Sequence, residues 1–193
     1  MSTIVDDLDS RLGARIRIER ETRGWSLTDL AQRSGVSRAM INKVERGEAS
    51  PTASLLGRLS GAFGLTLSAL LARTETSRAG RLVRAADQLR WTDPATGYVR
   101  RQVAPPPGSD LPVDLVQVDL PPGASVSFPA TAYAFVRQVV WVLDGTLTFI
   151  EGDTAYTLAV GDCLELGRPS DCTFRNDKRR PCRYAVVILR QGS

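Results

Sequence analysis

Between residues 9 and 71 apolar side chains recur every three or four positions, and beyond residue 99 they alternate with polar ones. The first rhythm predicts helices. Leu12, Ile16 and Arg20 share one helix face, and Leu55, Leu59 and Phe63 share another, with Gly24, Gly35, Gly47 and Gly64 as punctuation. The second rhythm predicts strands over 113–120, 139–143, 146–150, 157–160, 163–166 and 184–189. Pro121-Pro122-Gly123, Asp144-Gly145, Glu151-Gly152-Asp153 and Gly161-Asp162 supply the turns between them. The plain expectation is a multi-domain α + β chain: an all-α domain over 9–72, a linker over 73–80 and an all-β domain over 81–193. The Pro-rich stretch 104–110 is expected to be an exposed loop inside the second domain. Along 138–143, Gln138, Val140 and Val142 share one face and Val139, Trp141 and Leu143 the other. Both faces are apolar, so this strand is expected to be covered on both sides, one cover being the domain interior and the other either the second sheet's flank or a dimer partner.

Within the helical part, 26–47 has the local chemistry of two short helices joined by a tight turn. Ser26 caps the first helix, with Asp29 three residues on to complete a capping box. Leu30 and Ala31 face inward, Gly35 can take positive φ to reverse the chain, and Val36 packs in the turn. Ser37 caps the second helix, which buries Ile41 and Val44. Arg38, Ala39, Asn42, Lys43 and Arg46 are left outside. Taken alone, those charges would read as a solvated helix face.

The segment 12–71 as a whole, with Leu12-Gly-Ala-Arg, the 29–47 run and Ser50-Pro-Thr-Ala-Ser-Leu-Leu, resembles the phage-repressor-like (XRE) family of helix-turn-helix domains. That resemblance implies a lambda-repressor-like bundle that binds double-stranded DNA, with the helix capped by Ser37 as the recognition helix. It also implies an ion pair between Arg20 and Glu45 beneath that helix. The positions of Arg38, Ala39 and Lys43 are those that reach base edges: Arg38 would fork onto guanine, Ala39 would touch a thymine methyl, and Lys43 would reach a guanine or a phosphate. Ser26, Thr28, Ser37, Asn42 and Arg46 would complete the DNA contact set, mainly along the phosphate backbone. Leu27 stands where many relatives carry an amide side chain, so backbone N–H groups at 26–28 would hold that phosphate.

The β half, through 121–128, 139–166 and 174–176, resembles a cupin, a jelly-roll barrel. Metal-dependent cupins place His and carboxylate ligands at positions matching Pro129, Thr131, Gln138 and Cys172. None of these is a His or a carboxylate, so neither a metal nor a cofactor is expected, and no catalytic residue is assigned. Phe128, Thr131, Tyr133, Gln138, Val140, Cys172 and Phe174 are the candidates for contact with a small organic effector. Aromatics in a barrel are ordinary core more often than ligand contacts, and Cys172 reads first as a small buried apolar group and only second as a ligand-contacting or sensing thiol.

The rest of the composition narrows the picture. The 193 residues include 25 Lys and Arg against 21 Asp and Glu, a net charge of +4, and no His. Only Lys43 and Lys178 are lysines. The lack of His removes the usual general base and the commonest transition-metal ligand. Cys163, Cys172 and Cys182 are odd in number and have no metal-type spacing, which suits reduced thiols. No apolar run is long enough to span a bilayer, and the first residues lack the form of a secretory signal, so a cytoplasmic protein is expected. The two resemblances together imply a non-enzymatic transcriptional regulator: a homodimer on an operator, held by the cupin, with a small-molecule effector. The rival expectations are a DNA-binding or antitoxin-like protein whose cupin only dimerises, and a cupin enzyme targeted by its helices.

Overall fold

The computed structural model describes residues 3–72, 81–105 and 111–190. The expected linker 73–80 and most of the Pro-rich loop 104–110 lie outside the described residues. Five helices come first: α1 (Thr3–Thr22), α2 (Leu27–Ser34), α3 (Arg38–Glu45), α4 (Ala53–Phe63) and α5 (Leu67–Ala72). Their core holds the expected Leu12, Ile16, Leu30, Ile41, Val44 and Leu59, all fully buried, together with Leu56; Leu55, expected on the same stripe, is only half-buried. Helix starts follow their caps. Ser26 accepts the Asp29 N–H and Asp29 accepts the Ser26 N–H, the reciprocal pair that closes the first turn of α2. Ser37 and Thr52 do the same half of this for α3 and α4 through Met40 and Leu55. Gly35, at φ +67°, makes the left-handed step that ends α2 and starts the turn into α3.

Ten strands follow: β1 (Arg90–Thr92), β2 (Val99–Ala104), β3 (Val113–Leu120), β4 (Ser125–Phe128), β5 (Val136–Asp144), β6 (Leu147–Glu151), β7 (Thr154–Leu158), β8 (Cys163–Glu165), β9 (Cys172–Arg175) and β10 (Cys182–Arg190). They form two antiparallel sheets, ordered β1-β2-β3-β10-β5-β8 and β4-β9-β6-β7, that pack face to face as the jelly roll implied by the cupin resemblance. Alternation sets the interior. Val116, Val118, Val140, Val142, Tyr184, Val186 and Ile188 enter from the first sheet and Val126, Phe128, Phe149 and Phe174 from the second. Phe174 lies at the centre, 4.9 Å from Phe149 and stacked on Tyr184 at 5.5 Å. Asn176 is wholly buried and closes one end, its amide donating to the Leu120 and Arg180 carbonyls while its oxygen accepts the Lys178 N–H.

Two expectations are corrected. The strand expected over 157–160 runs instead over Thr154–Leu158, because Gly152 at φ +55° turns the chain early and leaves Val160 60% exposed in the next turn. Of the two covers expected for the outer face of β5, the second sheet's flank does not supply one among the described residues: Trp141 is 48% exposed, and only the face of Gln138, Val140 and Val142 is buried.

Helices and sheets are not separate bodies. Helix α4 lies on β4 and on the 3₁₀ turn Ala130–Ala132. A β-carbon at Gly57 would collide with the Phe128 ring, and one at Gly61 would come within 2.9 Å of Thr131 Oγ1, so both positions need glycine for this approach. Two buried polar contacts fasten the start of α5 to the barrel. Arg100 donates to Ser68 Oγ at 2.6 Å, and Thr66 lies 3.4 Å from Asp114. Burial raises the Asp114 carboxyl above its ordinary range, opposed by the charges of Arg190 and Arg100.

Candidate nucleic-acid interface and barrel cavity

Ser26, Thr28, Ser37, Arg38, Ala39, Asn42, Lys43 and Arg46 are all exposed, and all lie on the N-terminal end of α2 or on α3 and its caps. The amphipathic α3 buries Ile41 and Val44, tucks Glu45 beneath itself and turns Arg38, Ala39, Met40, Asn42 and Lys43 outward. Beneath it, Arg20 donates Nε and Nη2 to the two carboxylate oxygens of Glu45, each at 2.7 Å, with a third bond to the Trp25 carbonyl. This fork matches the ion pair the resemblance implies, and the Glu45 bond holds the Arg20 guanidinium above its ordinary range. The hydroxyls of Ser26 and Ser37 are already engaged as caps, and Arg46 pairs with Glu48. Arg38 and Lys43 are thus the cations on this face best able to reach a ligand.

A groove of about 350 Å³ runs between the start of α3 and α4, walled by Ser37, Met40, Thr52, Ser54 and Arg58. Sequence reasoning missed Arg58. Its signal was present: it lies off the 55/59/63 stripe, on the outward side of α4.

On another face of α4, past Gly57 and Ser60, a partly open cavity of about 60 Å³ lies between the helices and the barrel interior. Phe128, Tyr133, Gln138 and Phe174 line it, together with Arg100, Tyr98 and Ser60, which sequence reasoning did not single out. Thr131 is exposed and faces Gly61 of α4, and Val140 is buried deeper in the core; neither is part of the cavity lining. Cys172 stands behind the wall, its thiol interacting with the Tyr133 hydroxyl and the Ser170 carbonyl, and burial pushes it up to about 11. A proline, a hydroxyl facing away, an amide and a protonated thiol do not make a divalent site. No cluster of three His, Cys, Asp or Glu suited to a metal occurs among the described residues. No helix among them is long and apolar enough to cross a membrane.

The outer face of the six-stranded sheet carries a third feature. Trp141 stands opposite Ala185, and Val139, Val187 and Leu115 form a row beside it, with Leu189 45% exposed. Arg183–Asp119 and Arg137–Glu165 ion pairs flank this apolar strip.

Comparison with known proteins agrees with the helical half. A helix-turn-helix family model matches residues 16–70. The HTH-type transcriptional regulator SutR of Escherichia coli (strain K12) is 32% identical over 73 residues, 38% of this chain and 41% of that protein. The HTH-type transcriptional regulator SinR of Bacillus licheniformis is 28% identical over 93 residues, 47% of this chain and 84% of that protein. The chain spans about half or less of the first curated relatives, 41% and 52% of their lengths. A crystal structure of an HTH_3 family transcriptional regulator from Vibrio cholerae superposes with a TM-score of 0.78 at 19% identity, covering 96% of this chain and 99% of that one. The fold is therefore shared end to end. Residues 16–70 are a helix-turn-helix domain of the phage-repressor-like (XRE) family, carried on a jelly roll.

Proposed function

We propose that this chain is a sequence-specific DNA-binding transcriptional regulator. It acts as a homodimer in the cytoplasm, with 9–72 reading DNA and 81–193, joined through 73–80, dimerising and binding a small organic effector without a metal. The observation that carries the reading is α3. It presents Arg38, Ala39, Asn42 and Lys43 as one exposed surface, on a helix held from below by the Arg20–Glu45 fork. The apolar strip around Trp141 supports pairing of two copies, which would set two recognition helices on successive major grooves. The cavity beneath α4 supports an effector.

The strip by itself favours a second reading, in which the barrel only dimerises. An enzyme gains no such support, since the chain has no His and the cupin metal positions lack suitable donors.

Sheared genomic DNA from the source organism, passed over the full-length protein and sequenced after retention, tests the reading. A few sites sharing a twofold-symmetric motif are expected. Uniform, salt-sensitive retention or none would overturn sequence-specific recognition. For the dimer, light scattering should give twice the chain mass at micromolar concentration, and Trp141→Glu should give the monomer. A monomeric wild type would remove the dimer.

A further inference from the structure

The cavity between α4 and the barrel is apolar on most sides but holds two polar groups that the fold leaves underused. Arg100 is 7% exposed and donates to Ser68 at 2.6 Å and to the Tyr98 hydroxyl at 3.5 Å. Among the described residues its side-chain partners are these two hydroxyls and no carboxylate; Asp114 acts on it from farther away. A guanidinium buried in that manner keeps donors to spare and lacks a close counter-charge. Gln138, 8% exposed, faces the same space, and its side-chain amide has no hydrogen-bond partner among the described residues.

A wider depression of about 460 Å³ adjoins the cavity and shares the wall formed by Tyr133, Val136 and Gln138. Its other sides hold Arg137 and Arg168 against Glu165, a net positive approach that favours anions. Phe128, Tyr133 and Phe174 supply apolar surface for the body of a ligand, and the small volume limits its size. On the helical side the wall is Gly57 and Ser60 of α4, which also packs against α2.

We infer that the cavity binds a small organic monocarboxylate, its carboxylate on Arg100 and Gln138 and its apolar body against Phe128 and Tyr133. Occupancy is read by α4 through Gly57 and Ser60. This rests on the proposed DNA-binding regulator and specifies its effector class and the helix that senses it. Carboxylate recognition follows from the planar fork of Arg100, which a neutral amide cannot engage with charge. Coupling follows from the shared wall: a bound molecule and α4 contact each other, so any shift of α4 is felt by α2 and α3.

The test uses the full-length protein with propionate, isobutyrate and benzoate, each beside its neutral amide. Isothermal titration and thermal melting read binding, and fluorescence anisotropy on a retained genomic site reads DNA affinity. At least one acid should bind, raise the melting temperature and change DNA affinity, while its amide does none of these. Arg100→Gln should weaken acid binding by about tenfold or more. Because Arg100 also holds Ser68, Ser60→Leu serves as a second variant. It fills the cavity from the helix side and should block the acid with Arg100 intact.

Failure of all three acids to bind at millimolar concentration, or equal binding of acid and amide, overturns the inference while the DNA result stands. Binding that survives both variants also overturns it. Loss of DNA binding by the unliganded protein, with Arg100-dependent acid binding retained, sinks the regulator reading and leaves the carboxylate site in place.

Discussion

Glu45 accepts both arms of the Arg20 guanidinium with only 6% of its side chain exposed, so neither charge is replaceable without stranding the other. Glu45→Ala should cost about 3 kcal/mol, seen as a lower midpoint in urea unfolding. An unchanged midpoint would mean that solvent already compensates the pair. The buried thiols make a different demand. Burial raises Cys172 and Cys182 from an ordinary 9.0 to about 11, with Glu151 and Asp144 adding to the effect. Above pH 9 the unfolded chain releases thiol protons that the folded chain keeps, so stability is intact below that point and falls as pH climbs toward 11. The buried phenols of Tyr133 and Tyr184, also raised, add to the same slope. Melting temperatures between pH 8 and 11 should therefore decline. Iodoacetamide at pH 8 should label exposed Cys163 well before the two buried thiols.

Among elements, α3 separates two kinds of DNA contact. Arg38→Ala should relax base preference at one position of each half-site, at about 1–3 kcal/mol if it forks onto guanine. Lys43→Ala should weaken all sequences evenly and lower the salt slope by about one if it meets phosphate. Titrations against one selected site and one scrambled site, at several salt concentrations, distinguish them. Loss of the same size on both sequences for Arg38→Ala would assign it to the backbone instead. This element was legible in the sequence because its determinants are local: caps at Ser26 and Ser37, the left-handed Gly35, and an apolar pair at Ile41 and Val44. Strand β2 was not legible in the same way. Its Val-Arg-Arg-Gln run looks like a solvated edge, and Arg100 is buried by partners distant in sequence, Ser68 of α5 and the residues of α4 and the barrel around the cavity. The short β1 and β9 escaped the strand pattern for a related reason. Three or four residues carry too little alternation, and their place is set by partners far along the chain.

At the scale of the molecule, α4 joins the helical and barrel parts of one continuous core. Leu56 and Leu59 belong to the helical bundle, while Gly57 and Gly61 admit Phe128 and Thr131 from the barrel side. Gly57→Ala should force the ring or the helix aside and cost about 1–3 kcal/mol in urea unfolding. It should also alter DNA affinity without touching α3, and an unaltered affinity would show that α4 can yield locally. The sequence marked the apolar stripe of α4 plainly, but not that its small residues mate with a ring on β4, since no periodicity links Gly57 to Phe128. The same double allegiance bears on how such proteins can be recombined. A chimera joining this DNA reader to another jelly roll by a splice after α5 would leave two glycines facing a surface of the wrong shape. A working graft must carry the outer side of α4 across as part of the sensor, so the seam between interchangeable parts runs through the middle of a helix.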